Sequence, residues 1–142
     1  MLRKPLALCM LLALCHGLAP AQDQAPVVGR WKRLSSTIEH QGQKVDMHAA
    51  LVQQRPCAAK IRYVITADGK YQLDASQSGC DEKYRGIQER LHSKMRWKVE
   101  GQRITLSTTD FAVGQTYLFS ISGDKMTWTG TEGQGVSVYQ RE

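Results

Sequence analysis

The stretch CAAKIRYVITADGKYQLDASQSGC, residues 57–80, decides the fold, because it contains two strand patterns and has a cysteine at each end. Apolar and polar residues alternate over 61–66 and again over 71–75, which is the period of a half-buried β-strand. Asp68-Gly69 lies between the two runs, and such a pair favours a tight turn because glycine adopts positive φ without strain. The stretch therefore predicts a β-hairpin bracketed by two cysteines.

The N-terminus has the pattern of a secretory signal peptide. Two basic residues precede an apolar core over 6–14, and Ala19-Pro20-Ala21 supplies the small residues that a signal peptidase reads. The apolar core is too short to span a bilayer, which needs roughly 20 apolar residues. We therefore predict a signal peptide over 1–21 that is cleaved after Ala21, and a mature protein that is secreted or periplasmic and not transmembrane.

Removal of this signal leaves two cysteines, Cys57 and Cys80. In an exported protein, two cysteines most simply pair as a structural disulfide. Their spacing is not that of a CxxC redox motif, and no histidine stands at a metal-ligand spacing from them, so we predict no metal site. Lipidation of Cys15 is disfavoured because Leu14 is too large for the preceding position.

The mature chain has the length of a single domain. We predict a short flexible tail over 22–27 and one folded domain over 28–142. The Lys and Arg residues are spread along the sequence, with no dense basic run that contains interleaved aromatic residues. This distribution disfavours a nucleic-acid partner.

The strand pattern of the hairpin recurs along the rest of the chain. Eight extended or alternating runs cover 28–38, 61–66, 71–75, 94–99, 103–107, 116–121, 126–129 and 136–139. One apolar and one polar face in each run indicate a sheet that buries a single side. Successive antiparallel strands of this kind can curl until the first pairs with the last, which removes exposed edges. We therefore predict an all-β fold, an eight-stranded antiparallel up-and-down barrel with one disulfide.

Two segments depart from the strand pattern. Apolar residues in 45–55 fall near helical spacing, and Pro56 ends that segment. In 81–94, three apolar residues fall on one side of a helix whose start is acidic and whose end is basic. We expect one or two short helices, the second of which covers one mouth of the barrel as a ligand lid or as a plug over the core.

The apolar faces of the strands predict a bulky barrel interior, which can be filled by its own side chains or can hold one small ligand. In the last strand, we assign Val136 and Val138 to the apolar face and Ser137 and Tyr139 to the polar face. Buried tyrosine hydroxyls would need partners, either on a ligand or on the backbone. The residues that we predict to line a ligand site are Trp31, Tyr63, Tyr71, Trp97, Tyr117, Phe119 and Trp128.

The sequence contains no familiar catalytic motif. It has no Gly-x-Ser-x-Gly, no His-Glu-x-x-His and no phosphate-binding glycine loop. Asp46 and His48 could couple an acid to an imidazole, but a turn aspartate beside a solvated histidine explains them better. We therefore predict no enzymatic activity, no catalytic residue and no cofactor.

Several motifs together resemble the bacterial exported lipocalin-like domain proteins. They are Gly29-x-Trp31-Lys32, Ile65-Thr66-Ala67-Asp68-Gly69-Lys70-Tyr71, the bracketing Cys57 and Cys80, and the paired segments 95–101 and 123–128. The resemblance extends over nearly all of 28–142. It implies a calycin-type barrel that binds a small hydrophobic ligand or lipid, with Trp31 closing the base of the barrel.

Two other functions suit the same barrel. It could bind a protein, as a periplasmic protease inhibitor does, with the N-terminal tail at 22–27 entering the protease cleft. It could also be a structural envelope protein that has no ligand. Deletion of the tail separates the inhibitor from the others, because only the inhibitor would lose its partner while keeping its fold.

Overall fold

The computed structural model describes residues 25–142, in which eight antiparallel strands form a nearly closed up-and-down barrel. The predicted signal peptide and residues 22–24 of the predicted tail lie outside the described residues. The strands are β1 (Gly29–His40), β2 (Gln43–Asp46), β3 (Arg62–Ile65), β4 (Tyr71–Asp74), β5 (Arg96–Glu100), β6 (Arg103–Ser107), β7 (Gln115–Ser122), β8 (Lys125–Gly130) and β9 (Val136–Arg141). The helices are α1 (Met47–Gln54) and α2 (Glu82–His92), and 3₁₀ turns span Pro56–Lys60 and Phe111–Val113.

The strand order is β4-β3-β1-β9-β8-β7-β6-β5, so the first strand pairs with the last. The other edge of β1 pairs with two strands. The first part of β1 pairs with β3, and its last part pairs with the short extra strand β2. The two ends of the sheet meet between β4 and β5. There the Tyr71 N–H donates to the Met95 carbonyl at 2.9 Å, and the Trp97 N–H donates to the Gly69 carbonyl at 3.0 Å. The predicted eight-stranded up-and-down barrel is confirmed.

The predicted hairpin is formed by β3 and β4. Ile65 faces Tyr71 across the pair. Between them Gly69 has φ +86°, in the left-handed region that a side chain would strain. The Thr66 N–H donates to the Lys70 carbonyl at 3.0 Å and closes the turn. The Asp-Gly pair therefore has the role that the sequence indicates.

The predicted disulfide joins Cys57, in the 3₁₀ turn before β3, to Cys80, just before α2, with their Cα atoms 5.2 Å apart. The hairpin is thus tied at both of its flanks. Beside the bond, Arg55 pairs with Asp81 at 2.9 Å, and its guanidinium lies 4.0 Å from the centre of the Tyr84 ring. These contacts fix the start of α2 against the end of α1.

Asp46 begins α1 as its N-cap, which accounts for its spacing from His48. Its carboxylate accepts from the backbone N–H groups of His48 at 2.9 Å and Ala49 at 3.1 Å. This bonding satisfies amide groups that the first turn of a helix leaves free. The Asp46–His48 spacing therefore has a structural explanation.

Near the start of β1 the barrel is packed around Trp31, which is fully buried. The Trp31 indole N–H donates to the Val27 carbonyl at 2.9 Å, and the Arg141 guanidinium lies 4.2 Å from the Trp31 ring centre. Val27 is itself fully buried, and Arg141 also donates to the Pro26 carbonyl at 2.7 Å. The part of the predicted tail that the structure describes, 25–27, is therefore packed against the barrel and is not a free tail.

Asp74, at the end of β4, gives the fold a sensitivity to acid. Its carboxylate accepts from the Ser76 hydroxyl at 2.6 Å, the Ser76 backbone N–H at 2.9 Å and the Arg30 guanidinium at 2.7 Å. These bonds lower the pKa of Asp74 from 3.8 to about 2. Because its pKa is lower in the folded than in the unfolded chain, the ionised carboxylate stabilises the fold above pH 3.8, and this contribution is lost as the pH falls towards 2.

We therefore expect Asp74→Asn to reduce the free energy of unfolding at pH 6, and this difference from the wild type to shrink as the pH falls to 2. Urea unfolding at a series of pH values measures it. Glu39→Gln removes an exposed carboxylate from β1 and serves as the charge control. A difference between Asp74→Asn and wild type that is the same at all pH values would contradict the assignment.

Candidate ligand-binding site

A cavity of about 180 Å³ lies inside the barrel, next to the last residue of α2. Six strands contribute side chains to its wall, which places it within the barrel rather than on one surface. The lining residues are Arg33, Ser36, Tyr71, His92, Met95, Leu106, Gln115, Tyr117, Trp128, Gln134, Ser137 and Tyr139. Three other depressions among the described residues are larger. One of about 230 Å³ shares Met95, Leu106 and Gln115 with this lining, and two of about 400 and 480 Å³ are lined mainly by neighbouring strands on one side of the sheet. The interior cavity is the candidate site, because small-ligand sites are concave and lined by aromatic groups.

Below the cavity, the barrel is filled. Trp31, Ile104 and Met126 lie two residues before cavity residues on β1, β6 and β8, and they are at most 1% exposed. Trp97 and Phe119 lie two residues after the cavity residues Met95 and Tyr117. Since alternate residues of a strand share a face, these five side chains form the next layer along the barrel axis. The barrel interior therefore has one layer that is packed by side chains and an adjacent layer that contains the cavity.

Trp128 is at the centre of the cavity's aromatic wall. Its ring centre lies 5.2 Å from that of Tyr139, 5.4 Å from that of Tyr117 and 5.8 Å from that of Tyr71. Tyr71, Trp128 and Tyr139 are at most 3% exposed. The indole N–H of Trp128 is buried, and no acceptor for it lies among residues 25–142. Buried tryptophan N–H groups usually have a partner, so this donor is unusual.

Arg33 brings a cation into the aromatic wall. Its guanidinium carbon lies 4.3 Å from the ring centre of Tyr63 and 5.4 Å from that of Tyr139. One terminal N–H donates to the Tyr139 hydroxyl at 3.0 Å. The Nε atom is buried and has no hydrogen-bond acceptor within the part of the chain that the structure describes. The Arg33 Nε–H is therefore, after the Trp128 indole N–H, the second hydrogen-bond donor of a cavity residue that has no acceptor in the described chain.

The tyrosines around Arg33 do not neutralise its charge. Burial raises the pKa of Tyr63 to about 12, although the Arg33 charge opposes this shift. Burial likewise raises the pKa of Tyr71 and of Tyr117. Burial lowers the pKa of Arg33, but the neighbouring tyrosine oxygens, with Tyr139 first, raise it by more, so the net shift is upward. At neutral pH the phenols of Tyr63, Tyr71 and Tyr117 are therefore protonated, and Arg33 is charged.

His92 brings the end of α2 to the cavity. Its ring centre lies 5.8 Å from that of Tyr71, and its Nδ1 lies 3.1 Å from the Gln88 carbonyl. Because a carbonyl only accepts, Nδ1 carries the proton of the neutral ring. Burial and the Arg33 charge lower the pKa of His92, while the bond to Gln88 opposes them. Among the described residues that line the cavity, Arg33 is therefore the charged one at neutral pH.

The structure brings together some of the residues that the sequence predicted for a ligand site and separates others. Tyr71, Tyr117 and Trp128 line the cavity. Tyr63 lies behind Arg33, with its ring centre 5.5 Å from that of Tyr139 and 6.2 Å from that of Tyr71. The remaining three, Trp31, Trp97 and Phe119, belong to the packed layer below. The Trp97 indole N–H donates to the Thr66 carbonyl at 2.9 Å.

The assignment of faces in β9 was wrong. Tyr139 is 2% exposed and lines the cavity with Ser137, whereas Val136 is 37% exposed. The reason is that the cavity wall is partly polar. Arg33 donates to the Tyr139 hydroxyl, and Ser137 donates to the Ser36 hydroxyl at 3.1 Å, so the hydroxyls of Tyr139, Ser137 and Ser36 have partners inside the barrel. An apolar pattern therefore does not identify the inner face here.

Arg33 is the main residue that the sequence reasoning missed. Period-two alternation from Trp31 places Arg33 on the same inner face, but a charged residue in a strand is normally assigned to solvent. A β-bulge between Arg33 and Ser35 then shifts the register, so that Ser36 rather than Ser35 lines the cavity. The alternation that places Arg33 on the inner face can be read from the sequence, whereas no sequence feature identifies the bulge.

Other kinds of site have less support. Within residues 25–142, no three His, Cys, Asp or Glu side chains are grouped so that they could hold a metal ion. In the same part of the chain, neither helix has the length and apolar character that crossing a bilayer requires.

Comparisons of the chain with protein-family models, with curated proteins and with solved structures gave no match. The resemblance to exported lipocalin-like proteins therefore stays a prediction.

Proposed function

We propose that this protein is an extracytoplasmic binding protein that holds a small ligand in the interior cavity. The observation that supports the proposal is a cavity walled by Tyr71, Tyr117, Trp128 and Tyr139 in which two buried donors find no acceptor among the described residues. Well-packed interiors leave few buried polar groups without a partner. A ligand with an acceptor group would complete both the packing and the hydrogen bonding.

The cavity's volume argues for a small ligand. About 180 Å³ is less than the roughly 300–1,000 Å³ that drug-sized ligands occupy. It corresponds to the volume of roughly six water molecules in the liquid. This space suits one ring or a short branched chain better than a long-chain lipid. The ligand we propose is therefore smaller and more polar at one end than the family resemblance implies.

Helix α2 is suited to act as a lid over this cavity. None of its residues is buried, and its apolar side chains Ile87 and Leu91 are 41% and 63% exposed. A helix that buries so little apolar surface is held weakly and can open at low free-energy cost. Its first turn is anchored next to Cys80, and its last residue, His92, lies at the cavity. The lid function is therefore favoured over a plug of the core.

The disulfide between Cys57 and Cys80 supports the proposed compartment. Stable disulfides are typical of oxidising environments such as the periplasm and the extracellular space. A binding protein in this location would take up or carry a small molecule outside the cytoplasm. The proposed compartment agrees with the secretory pattern of residues 1–21.

Native mass spectrometry of the mature protein, purified from its own host, tests the proposal. We expect an added mass that disappears on denaturation and that solvent extraction recovers. Ser137→Phe should abolish the added mass by filling the cavity from β9. Ser120→Phe puts the same group on an exposed position of β7 and should retain it. A bare polypeptide mass for the wild-type protein would contradict the proposal.

A further inference from the structure

Arg33 has the environment of a charge that lacks a counter-ion. The ion pairs of the described residues involve Arg30, Arg55, Arg62, Lys70 and Lys98, and none involves Arg33. Its guanidinium lies over the rings of Tyr63 and Tyr139 and donates to the hydroxyl of Tyr139. Partly buried charges are normally paired, because an unpaired charge loses much of its hydration.

The aromatic rings replace this hydration only in part. Cation–π contacts attract the guanidinium to the ring faces, but they use none of its N–H groups. A guanidinium has five N–H donors in a planar fork, of which the Tyr139 hydroxyl accepts one and Nε has no acceptor in the described chain. A planar fork of this kind matches the two oxygens of a carboxylate.

The rest of the wall selects among anions. The wall combines four aromatic side chains and the apolar Met95 and Leu106 with the polar side chains of Ser36, Gln115, Gln134 and Ser137. A small inorganic anion would use the polar groups but would leave the apolar part of the wall without a contact. An organic anion can place its charged group at Arg33 and its apolar part against those rings. The buried N–H of Trp128 supplies a further donor in the same wall.

We infer that the cavity takes a small organic carboxylate whose carboxylate group pairs with Arg33 and whose apolar body contacts Tyr71, Tyr117 and Trp128. This inference rests on the proposed function and specifies its ligand class. Arg33 is then the binding residue that distinguishes an acid from its neutral analogues. The tyrosine faces hold its side chain in place before the ligand arrives.

The test compares phenylacetate with its neutral analogue phenylacetamide, using isothermal titration calorimetry and tryptophan fluorescence at pH 7. Both have one ring and differ mainly in charge. We expect the wild-type protein to bind phenylacetate about 10- to 100-fold more tightly than the amide, as charge-assisted hydrogen bonds predict. Inorganic phosphate should not compete. Equal affinity for acid and amide would overturn the inference while leaving the proposed function intact.

Variants of Arg33 locate the effect. Arg33→Gln should weaken phenylacetate binding about 10- to 100-fold and leave the amide's affinity unchanged. Arg33→Lys keeps the charge without the planar fork, so its phenylacetate affinity should lie between those of the wild type and Arg33→Gln. This variant also tests the inference if Arg33→Gln does not fold. Arg103→Gln removes a cation from the exposed start of β6 and should bind like the wild type. Full phenylacetate affinity in Arg33→Lys, or in a folded Arg33→Gln, would overturn the inference.

The ligand extracted from the host protein decides the case in which neither probe binds. Accurate mass and retention on an anion-exchange resin show whether that ligand is an acid. An acid supports the inference, and a neutral or basic ligand overturns it although the protein is still a binding protein. If the host protein also carries no added mass, both the inference and the proposed function fail.

Discussion

Replacing Trp31 with alanine is expected to lower the free energy of unfolding by about 3–5 kcal/mol, the usual loss when a buried aromatic side chain is truncated. Trp31 is fully buried at the centre of the packed layer. Its indole N–H also satisfies the Val27 carbonyl, and its ring lies 4.2 Å from the Arg141 guanidinium. The substitution therefore opens a cavity, leaves a buried carbonyl without its donor and removes a cation–π contact.

Urea unfolding followed by far-UV circular dichroism measures this loss without depending on tryptophan fluorescence. Trp31→Phe keeps most of the apolar volume but not the hydrogen bond, so we expect a smaller loss than for alanine. Leu34→Ala, at a 41% exposed position on the same strand, should change the stability by no more than about 0.5 kcal/mol. A loss below about 1 kcal/mol in Trp31→Ala would show that this layer is not the main stabilising core.

The barrel could be predicted from the sequence because most of its strands have one face that is more buried than the other. Alternation at period two identifies the strands, and the Asp68-Gly69 pair identifies the turn between β3 and β4. Closure follows from the number and order of the strands rather than from any one residue. The strand β2 could not be predicted in this way. Its Gln43–Asp46 segment is mostly exposed, so neither face has an apolar signal.

The lining of the candidate cavity was predicted only in part, because alternation indicates the face of a strand and not the depth along the barrel. Trp31 and Arg33 share one face, as do Tyr117 and Phe119, yet in each pair only one residue lines the cavity. Depth depends on strand register and on the bulge in β1, which are set by pairing between distant segments. Aromatic residues alone therefore could not separate the packed layer from the cavity layer.

Polarity misled the sequence reasoning in the same region. Arg33, Ser137 and Tyr139 look like solvent-facing residues because strand interiors are normally apolar. In the structure Arg33 donates to the Tyr139 hydroxyl and Ser137 donates to the Ser36 hydroxyl inside the barrel, while the Arg33 Nε has no acceptor among residues 25–142. Polar groups of this kind are expected in an interior that recognises a ligand, and the local failure of the apolar pattern coincides with the candidate site.

The Cys57→Ser variant is expected to lose about 3 kcal/mol of stability, the value that chain entropy predicts for a loop of this size. The bond spans 23 residues and encloses β3, β4 and their turn. Without it, the unfolded chain gains freedom, while the strand pairs of the barrel remain. Differential scanning calorimetry should therefore show a lower melting temperature with one cooperative transition.

The second consequence of Cys57→Ser is local, because the disulfide also positions the start of α2. Cys80 is 7% exposed and directly precedes the N-cap of a helix that has no buried residue. With the bond removed, the Arg55–Asp81 pair is a weak tether, since exposed ion pairs contribute about 0–1 kcal/mol. We expect iodoacetamide to modify Cys80 in the native variant faster than the protein unfolds globally.

Comparison of these two rates separates lid opening from global unfolding. Alkylation of Cys80 that is faster than unfolding, and that a bound ligand slows, would show that α2 opens locally over the cavity. Alkylation at the unfolding rate would mean that α2 is held as firmly as the barrel, which would contradict its proposed role as a lid. A free thiol in the native wild type, or an unchanged melting temperature in Cys57→Ser, would contradict the disulfide's contribution itself. The Cys57→Ser/Cys80→Ser variant is the control, because it shares the stability loss but has no thiol to alkylate.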